Sequence, residues 1–92
     1  MTTVIIELYG IPRQRAGCAR CELHFAAGPV TLQVALSRLA EELPGLAGEC
    51  IRNGQLAPAY SANLGGERFV NDPNLKLPDG AELLILSADA GG

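Results

Sequence analysis

The sequence predicts one small α+β domain, in which a mixed five-stranded sheet carries a single main helix across one face. Three observations predict this fold: a strand-length apolar run near each end of the chain, one amphipathic helical segment between them, and turn signals that separate the remaining short strands. A chain of 92 residues can build one core but not two domains. Because aromatic residues make up 4% of the chain, Val, Ile, Leu and Ala must form that core.

The first half of the chain is predicted to form a hairpin followed by the helix. Residues 4–9 are an apolar run closed by Gly10 and Pro12, which predicts a central strand, and a polar, Arg-rich loop is expected after it. Residues 21–26 alternate between apolar and polar, as expected of a half-exposed strand. Thr31 then occupies an N-cap position, and four leucines follow at helical spacing: Leu32, Leu36, Leu39 and Leu43.

The second half is predicted to contain an irregular segment, a small hairpin and a second central strand. Residues 46–55 show no clean period. Residues 59–63 and 68–70 flank Gly65-Gly66, a pair that supplies the positive φ angles of a tight turn. A turn at 78–80 precedes the apolar run 82–86. The order β-β-α-β-β-β, with the two most apolar strands pairing in parallel at the centre, predicts a ubiquitin-like β-grasp.

The alternation of the two central strands assigns their side chains to opposite faces of the sheet. The helix is expected to cover Val4, Ile6, Leu8, Leu83 and Ile85. The opposite face then carries Ile5, Glu7, Tyr9, Leu84 and Leu86. On that face Tyr9 and Leu86 are the predicted partner-binding residues, and Phe69 is a further candidate. The alternative is that these side chains merely close the core of a small domain.

Charge and hydropathy exclude several classes of partner. The net charge is −3 and the arginines are scattered along the chain, so no nucleic-acid partner is expected. No apolar run approaches the ~18 to 20 residues that cross a bilayer, and the first residues do not resemble a secretory signal, so we expect no membrane association and a cytoplasmic location.

The three cysteines are expected to be reduced thiols, because an odd count without a secretory signal does not suit a disulfide framework. Cys18 and Cys21, with His24 and Cys50, offer four side chains of the type that bind zinc. Strand alternation would however send Cys21 and His24 to opposite faces, so no metal site is predicted. A redox pair and incidental loop thiols remain open for Cys18 and Cys21.

The last residues form the most informative segment. We expect residues 1–88 to form the β-grasp domain and residues 89–92 to form a flexible tail. At this composition a terminal Gly91-Gly92 pair arises by chance about one time in a hundred. Glycine has no Cβ, so such a chain end can enter a narrow channel and present its carboxylate to a nucleotide. A tail that merely happens to end in glycine is the alternative.

The sequence resembles the MoaD and ThiS family of sulfur carriers. The resemblance is carried by Leu8-Tyr9-Gly10 with Arg13 and Gly17, by Thr31 and Asn63, and by the run 77–82 that leads through the last strand to Gly91-Gly92. It is nearest to the small subunit of molybdopterin synthase.

The resemblance implies a carrier protein that is not itself an enzyme and that binds no cofactor. An E1-like adenylyltransferase of the MoeB/ThiF type would consume ATP to activate the carboxylate of Gly92, and sulfur would then replace AMP to give a thiocarboxylate. Gly91, Asp89 and Ala90 would let the C-terminus reach the active site of that enzyme. A sulfur-acceptor synthase subunit would be the second partner, with molybdopterin as the favoured product. A ubiquitin-like modifier that forms isopeptide bonds through the same tail is the alternative.

Overall fold

The computed structural model describes residues 1–87, and within that range it has the predicted architecture. The strands are β1 (Thr2–Leu8), β2 (Arg20–Phe25), β3 (Val30–Thr31), β4 (Ile51–Arg52), β5 (Gln55–Leu56), β6 (Tyr60–Leu64), β7 (Arg68–Val70), β8 (Lys76–Leu77) and β9 (Ala81–Ser87). The helices are α1 (Ile11–Ala16) and α2 (Leu32–Glu42), and a 3-10 turn spans Pro44–Leu46. The main sheet has the order β2-β1-β9-β6-β7.

The centre of the sheet is the parallel pair formed by β1 and β9. Its register runs from Val4 opposite Ala81 to Leu8 opposite Ile85. On one side β2 pairs with β1 in antiparallel fashion, and on the other β6 pairs with β9 and β7 with β6, also antiparallel. The two most apolar strands therefore meet in the middle, where neither leaves an edge exposed, and the predicted β-grasp is confirmed.

Helix α2 packs across one face of this sheet and closes the core. Its side chains Leu32, Ala35, Leu36 and Leu39 are buried. The five sheet residues assigned to this face are buried as well: Val4, Ile6, Leu8, Leu83 and Ile85. The predicted N-cap is confirmed, since the Thr31 hydroxyl accepts a hydrogen bond of 3.2 Å from the Val34 N–H. Among residues 1–87 no helix is long and apolar enough to cross a membrane.

The loop predicted after the first strand is wrong over part of its length, because residues 11–16 form helix α1. Gly10, at φ 62°, turns the chain sharply out of β1, and Pro12 lies in the first turn, where its missing N–H would have no partner anyway. Gly17, in the left-handed region, ends the helix and donates its N–H to the Arg13 carbonyl. Six residues are too few to show a helical period, so the pattern could not reveal this helix.

The prediction of an irregular segment at 46–55 is also wrong in part. β4 and β5 form a two-stranded ribbon in which Ile51 pairs with Leu56. The residues between them are Asn53 and Gly54, with φ 54° and 72°. An Asn-Gly pair is a strong local signal for such a turn, but the flanking strands have two residues each and show no alternation.

Candidate functional site

The candidate site lies on the open face, the side of the main sheet opposite α2. Strand register places Glu7, Leu84, Asn63 and Phe69 side by side across β1, β9, β6 and β7. We call these four residues the central row. Because paired residues in neighbouring strands share a face, one line of side chains crosses most of the sheet here.

Five apolar side chains of the open face form what we call the open-face patch: Ile5, Tyr9, Phe69, Leu84 and Leu86. Phe69 is 59% exposed and Tyr9 is 43% exposed, while the other three are half-buried. The N–H of Tyr9 donates to the Ile85 carbonyl at 3.0 Å, which extends the parallel pairing by one residue and sets Tyr9 beside Leu86. The structure thus places Tyr9, Leu86 and Phe69, the predicted partner-binding residues, on one face.

The charges around the open-face patch are mainly negative. Glu7 and Glu82 lie next to it on β1 and β9, and the Tyr9 hydroxyl donates to Glu7 Oε2 at 3.4 Å. The nearby cation Arg20 lies 3.6 Å from a carboxylate oxygen of Glu22. Within residues 1–87 neither Glu7 nor Glu82 makes an ion pair. A partner with basic side chains at its rim would therefore be complementary to this face.

Strand β9 ends beside the open-face patch. Ser87 is its last residue and pairs with Tyr60 of β6. On its other side lies Gly10, where an added Cβ would come within 3.9 Å of the Ser87 hydroxyl. The described part of the chain therefore ends at the Tyr9 end of the patch. The remaining predicted site residues, Asp89, Ala90, Gly91 and Gly92, lie outside the described residues.

The four side chains considered for zinc are not brought together. Cys21 is opposite Ile6 and packs toward the core, whereas His24 is opposite Thr3 on the open face, with His24 Nδ1 at 3.2 Å from Thr3 Oγ1. Cys50 is fully buried. Across residues 1–87 there is no group of three or more His, Cys, Asp or Glu side chains able to hold a metal ion.

Cys21 and Cys50 are not placed as activated nucleophiles either. Burial raises the pKa of the Cys21 thiol, and the nearby charge of Glu42 adds to the rise. Burial likewise raises the pKa of Cys50. The reactive form of cysteine is the thiolate, so a raised pKa lowers its nucleophilicity at neutral pH.

The environment of the Asn63 side chain could not be predicted from the sequence. Its Oδ1 is buried and has no hydrogen-bond partner, and among the described residues it is the one buried side-chain oxygen or nitrogen of this kind. It lies between Leu84 and Phe69 in the central row. Alternation along β6 could assign Asn63 to a face, but its neighbours depend on the register of three strands.

Several solved structures share this fold. Small archaeal modifier protein 1 from Haloferax volcanii superposes with a TM-score of 0.81 at 21% identity, over 98% of this chain and 99% of that one. The protein of the same name from Methanosarcina acetivorans gives 0.75 at 21% identity, over 100% and 98%. A structure described as a candidate subunit 1 of molybdopterin converting factor, from Pyrococcus furiosus, gives 0.73 at 16% identity, over 95% and 98%.

These likenesses establish the ubiquitin-like fold over nearly the full length of both chains. No protein-family profile matches the sequence, and no curated protein matches it.

Proposed function

We propose that this protein is a ubiquitin-fold sulfur carrier whose Gly92 carboxylate is activated by an E1-like enzyme and converted to a thiocarboxylate. One combination of features carries the proposal: the Gly91-Gly92 pair is separated by only three residues, 88–90, from strand β9, and that strand ends beside an exposed apolar patch. The fold it shares with a candidate molybdopterin converting factor subunit and with archaeal modifier proteins supports the same conclusion.

The chemistry needs little from the carrier itself. A carboxylate is a poor acylating group, but attack of its oxygen on the α-phosphate of ATP gives an acyl-adenylate and releases pyrophosphate. A sulfur nucleophile then forms the new bond to carbon, and AMP departs with the electrons of the broken carbon–oxygen bond. ATP and the catalytic groups belong to the partner, so the carrier acts as its substrate and contributes no enzyme activity.

Two roles are proposed for residues of this chain: docking of the activating enzyme and extension of the C-terminus to the nucleotide. Tyr9, Phe69 and Leu86 would hold the activating enzyme at the open face, since large apolar side chains are enriched at protein interfaces. Asp89 and Ala90 would span the distance to the nucleotide. Gly91 and Gly92, which lack Cβ atoms, would pass through the narrow entrance of the enzyme's site.

The acceptor of the sulfur is proposed to be a biosynthetic intermediate bound to a synthase subunit, with the molybdopterin precursor favoured. The likeness to a structure described as a molybdopterin converting factor subunit supports this choice. Its test is reconstitution: the thiocarboxylate form, mixed with the cognate synthase subunit and precursor, is expected to lose its sulfur and return to the carboxylate mass. Retention of the sulfur under these conditions would redirect the search to other acceptors.

A protein modifier is the second candidate, because two of the neighbours are small archaeal modifier proteins. It would use the same adenylation and then acylate a lysine amine of a target. A modifier would form conjugates that survive reducing gel electrophoresis and that disappear when Gly92 is deleted. A carrier would show no such conjugates.

The decisive experiment is an intact-mass measurement of the protein from its native host, without reduction or alkylation. Exchange of one carboxylate oxygen for sulfur adds about 16 Da, and the heavier species should be absent after deletion of Gly92. The same deletion should leave the unfolding midpoint unchanged. Unmodified mass alone, even after incubation with ATP, a sulfur donor and the activating enzyme, would contradict the carrier function.

A further inference from the structure

The buried carboxamide oxygen of Asn63 is an unusual feature of an otherwise well-satisfied domain. Asn63 is half-buried, but its Oδ1 is closed off from solvent and accepts no hydrogen bond from any of residues 1–87. Leaving a buried acceptor unpaired costs about 1–3 kcal/mol, which is a large share of the stability of a small domain. A leucine at this position would have the same number and branching of side-chain heavy atoms and would avoid that cost. The carboxamide is therefore poorly explained by the folding of the isolated chain.

The two cross-strand neighbours of Asn63 differ in how freely their side chains can move. Its neighbour Phe69 is 59% exposed and lies on β7, the edge strand of the sheet. A ring with that much solvent around it can turn aside without moving the backbone. Its other neighbour, Leu84, is half-buried in β9 at the centre of the sheet. Asn63 thus lies between an exposed ring that can move and a half-buried leucine, at the middle of the open-face patch.

The charges near the open-face patch define the rest of the partner. Within residues 1–87 the carboxylates of Glu7 and Glu82 make no ion pair, although Glu7 accepts a hydrogen bond from the Tyr9 hydroxyl, and Glu7 belongs to the same central row as Asn63. A matching surface would be apolar at its centre, carry one hydrogen-bond donor there and present lysine or arginine at its rim.

We infer that Asn63 is a specificity-determining residue of the open face, whose Oδ1 accepts a hydrogen bond from the activating enzyme while basic side chains of that enzyme meet Glu7 and Glu82. The inference rests on the proposed function. A partner that lacks the donor leaves the acceptor unpaired in a dehydrated interface, and this penalty excludes other apolar surfaces.

The test compares stability with activation in Asn63→Leu. Removing the unpaired acceptor should leave the unfolding midpoint unchanged or raise it. In ATP–pyrophosphate exchange with the E1-like enzyme of the same organism, the KM for the carrier should rise about tenfold, with kcat unchanged, because one interfacial hydrogen bond is lost. Asn74→Leu makes the same chemical change at an exposed turn residue and should alter neither quantity.

The outcomes separate this inference from the proposed function. If the wild-type protein is not adenylated, both fail. If it is adenylated and a folded Asn63 variant keeps the wild-type KM, the Asn63 inference alone is overturned. Asn63→Ala, which removes the acceptor without adding an apolar group, is measured in parallel. A lowered unfolding midpoint in both variants would assign Asn63 a structural role and also overturn the inference.

The proposed contacts of Glu7 and Glu82 are tested by the dependence of the KM for the carrier on ionic strength. Attraction between exposed charges is screened by salt, so the KM for the wild-type carrier should rise with ionic strength. Glu82→Gln should flatten that dependence, whereas Glu41→Gln, on the exposed side of α2, should not. Equal salt dependence in all three proteins would exclude basic groups of the enzyme as the partners of the open-face carboxylates.

Discussion

At the scale of single residues, Gly45 shows how one missing side chain positions an element. A Cβ built there would lie 2.0 Å from the Arg15 carbonyl oxygen, inside the backbone of α1. The Arg15 guanidinium in turn donates from Nε to the Gly45 carbonyl at 3.1 Å. The short helix α1 and the 3-10 turn Pro44–Leu46 are thus in direct backbone contact, which helps to hold a helix too short to be stable alone.

Gly45→Ala is expected to destabilise the protein by about 3 kcal/mol, the upper end for overpacking, because the added methyl group must push α1 away. The free energy of unfolding in urea measures this. Gly48→Ala is the matched control: an added Cβ there meets no atom within 4 Å, although φ is +85°. Its cost should be about 1–2 kcal/mol from backbone strain. A milder effect at Gly45 than at Gly48 would contradict the close contact.

Thiol reactivity should distinguish the three cysteines. Cys50 is 0% exposed and burial raises the pKa of its thiol, while Cys18 and Cys21 are half-buried. A thiol-specific reagent at pH 8 should therefore leave one thiol per chain protected in the native protein and label all three in denaturing urea. Cys50→Ala should abolish the protected class. Rapid labelling of Cys50 in the folded protein would show that this part of the core opens.

At the scale of elements, the start of α2 depends on one side chain. Thr31 ends β3, where it pairs with Lys76, and its hydroxyl caps the helix by accepting from Val34. The same residue thus joins the small β3–β8 pair to the main helix. Local signals predict the cap, while the strand pairing requires a segment more than forty positions away.

Thr31→Ala should lower the free energy of unfolding by about 1 kcal/mol, because the Val34 N–H loses its acceptor. Thr31→Ser keeps a hydroxyl at the same position and should recover most of that loss. Thermal or urea unfolding of the two variants beside the wild type gives the comparison. Equal destabilisation by alanine and serine would assign the effect to the threonine methyl group instead of the cap.

Two neighbouring leucines of strand β9 test which face of the sheet is buried and which is open. Leu83 is fully buried under α2, and the next residue, Leu84, is half-buried on the open face. Leu83→Ala should cost about 3 kcal/mol of unfolding free energy and Leu84→Ala less than about 1 kcal/mol. The two substitutions remove the same atoms, so the difference reports burial alone. Similar losses would mean that the open face is covered.

At the scale of the whole molecule, the two faces of the sheet differ in what covers them. One face packs against α2 and supplies stability through Val, Ile and Leu side chains. The other carries the open-face patch, which contributes little to the core and lies next to the end of β9. A domain with its core on one side can present a binding surface without giving up stability, since substitutions on the two faces act independently.

Tyr9→Ala and Phe69→Ala should each raise the KM for adenylation severalfold, with a loss of unfolding free energy below about 1 kcal/mol, because both rings are largely exposed. Val34→Ala is the control, since Val34 is 43% exposed but lies on α2. It should leave the KM unchanged. An effect at Val34 equal to that at Phe69 would place the docking surface on the helix instead of the open face.

Local sequence alone determined several features of this fold. The apolar runs at 4–9 and 82–86, the Thr31 cap and the Gly65-Gly66 turn were sufficient to predict the central parallel strand pair, the small hairpin, the main helix and the two faces. Each rests on periodicity or backbone preference within a few residues, which a sequence states directly. Gly91-Gly92 likewise suggested the function, although the structure does not describe those residues.

Tertiary structure decided the features that depend on contacts between distant segments. Helix α1 is held by contacts of residues 11–16 with Gly45 and β9. The strands of the β4–β5 ribbon are too short to show an alternating pattern in the sequence. The position of Asn63 between Leu84 and Phe69 follows from the register of three strands. Register is set by the whole core and the turns together, so the acceptor at the middle of the open face becomes visible only when the chain is folded.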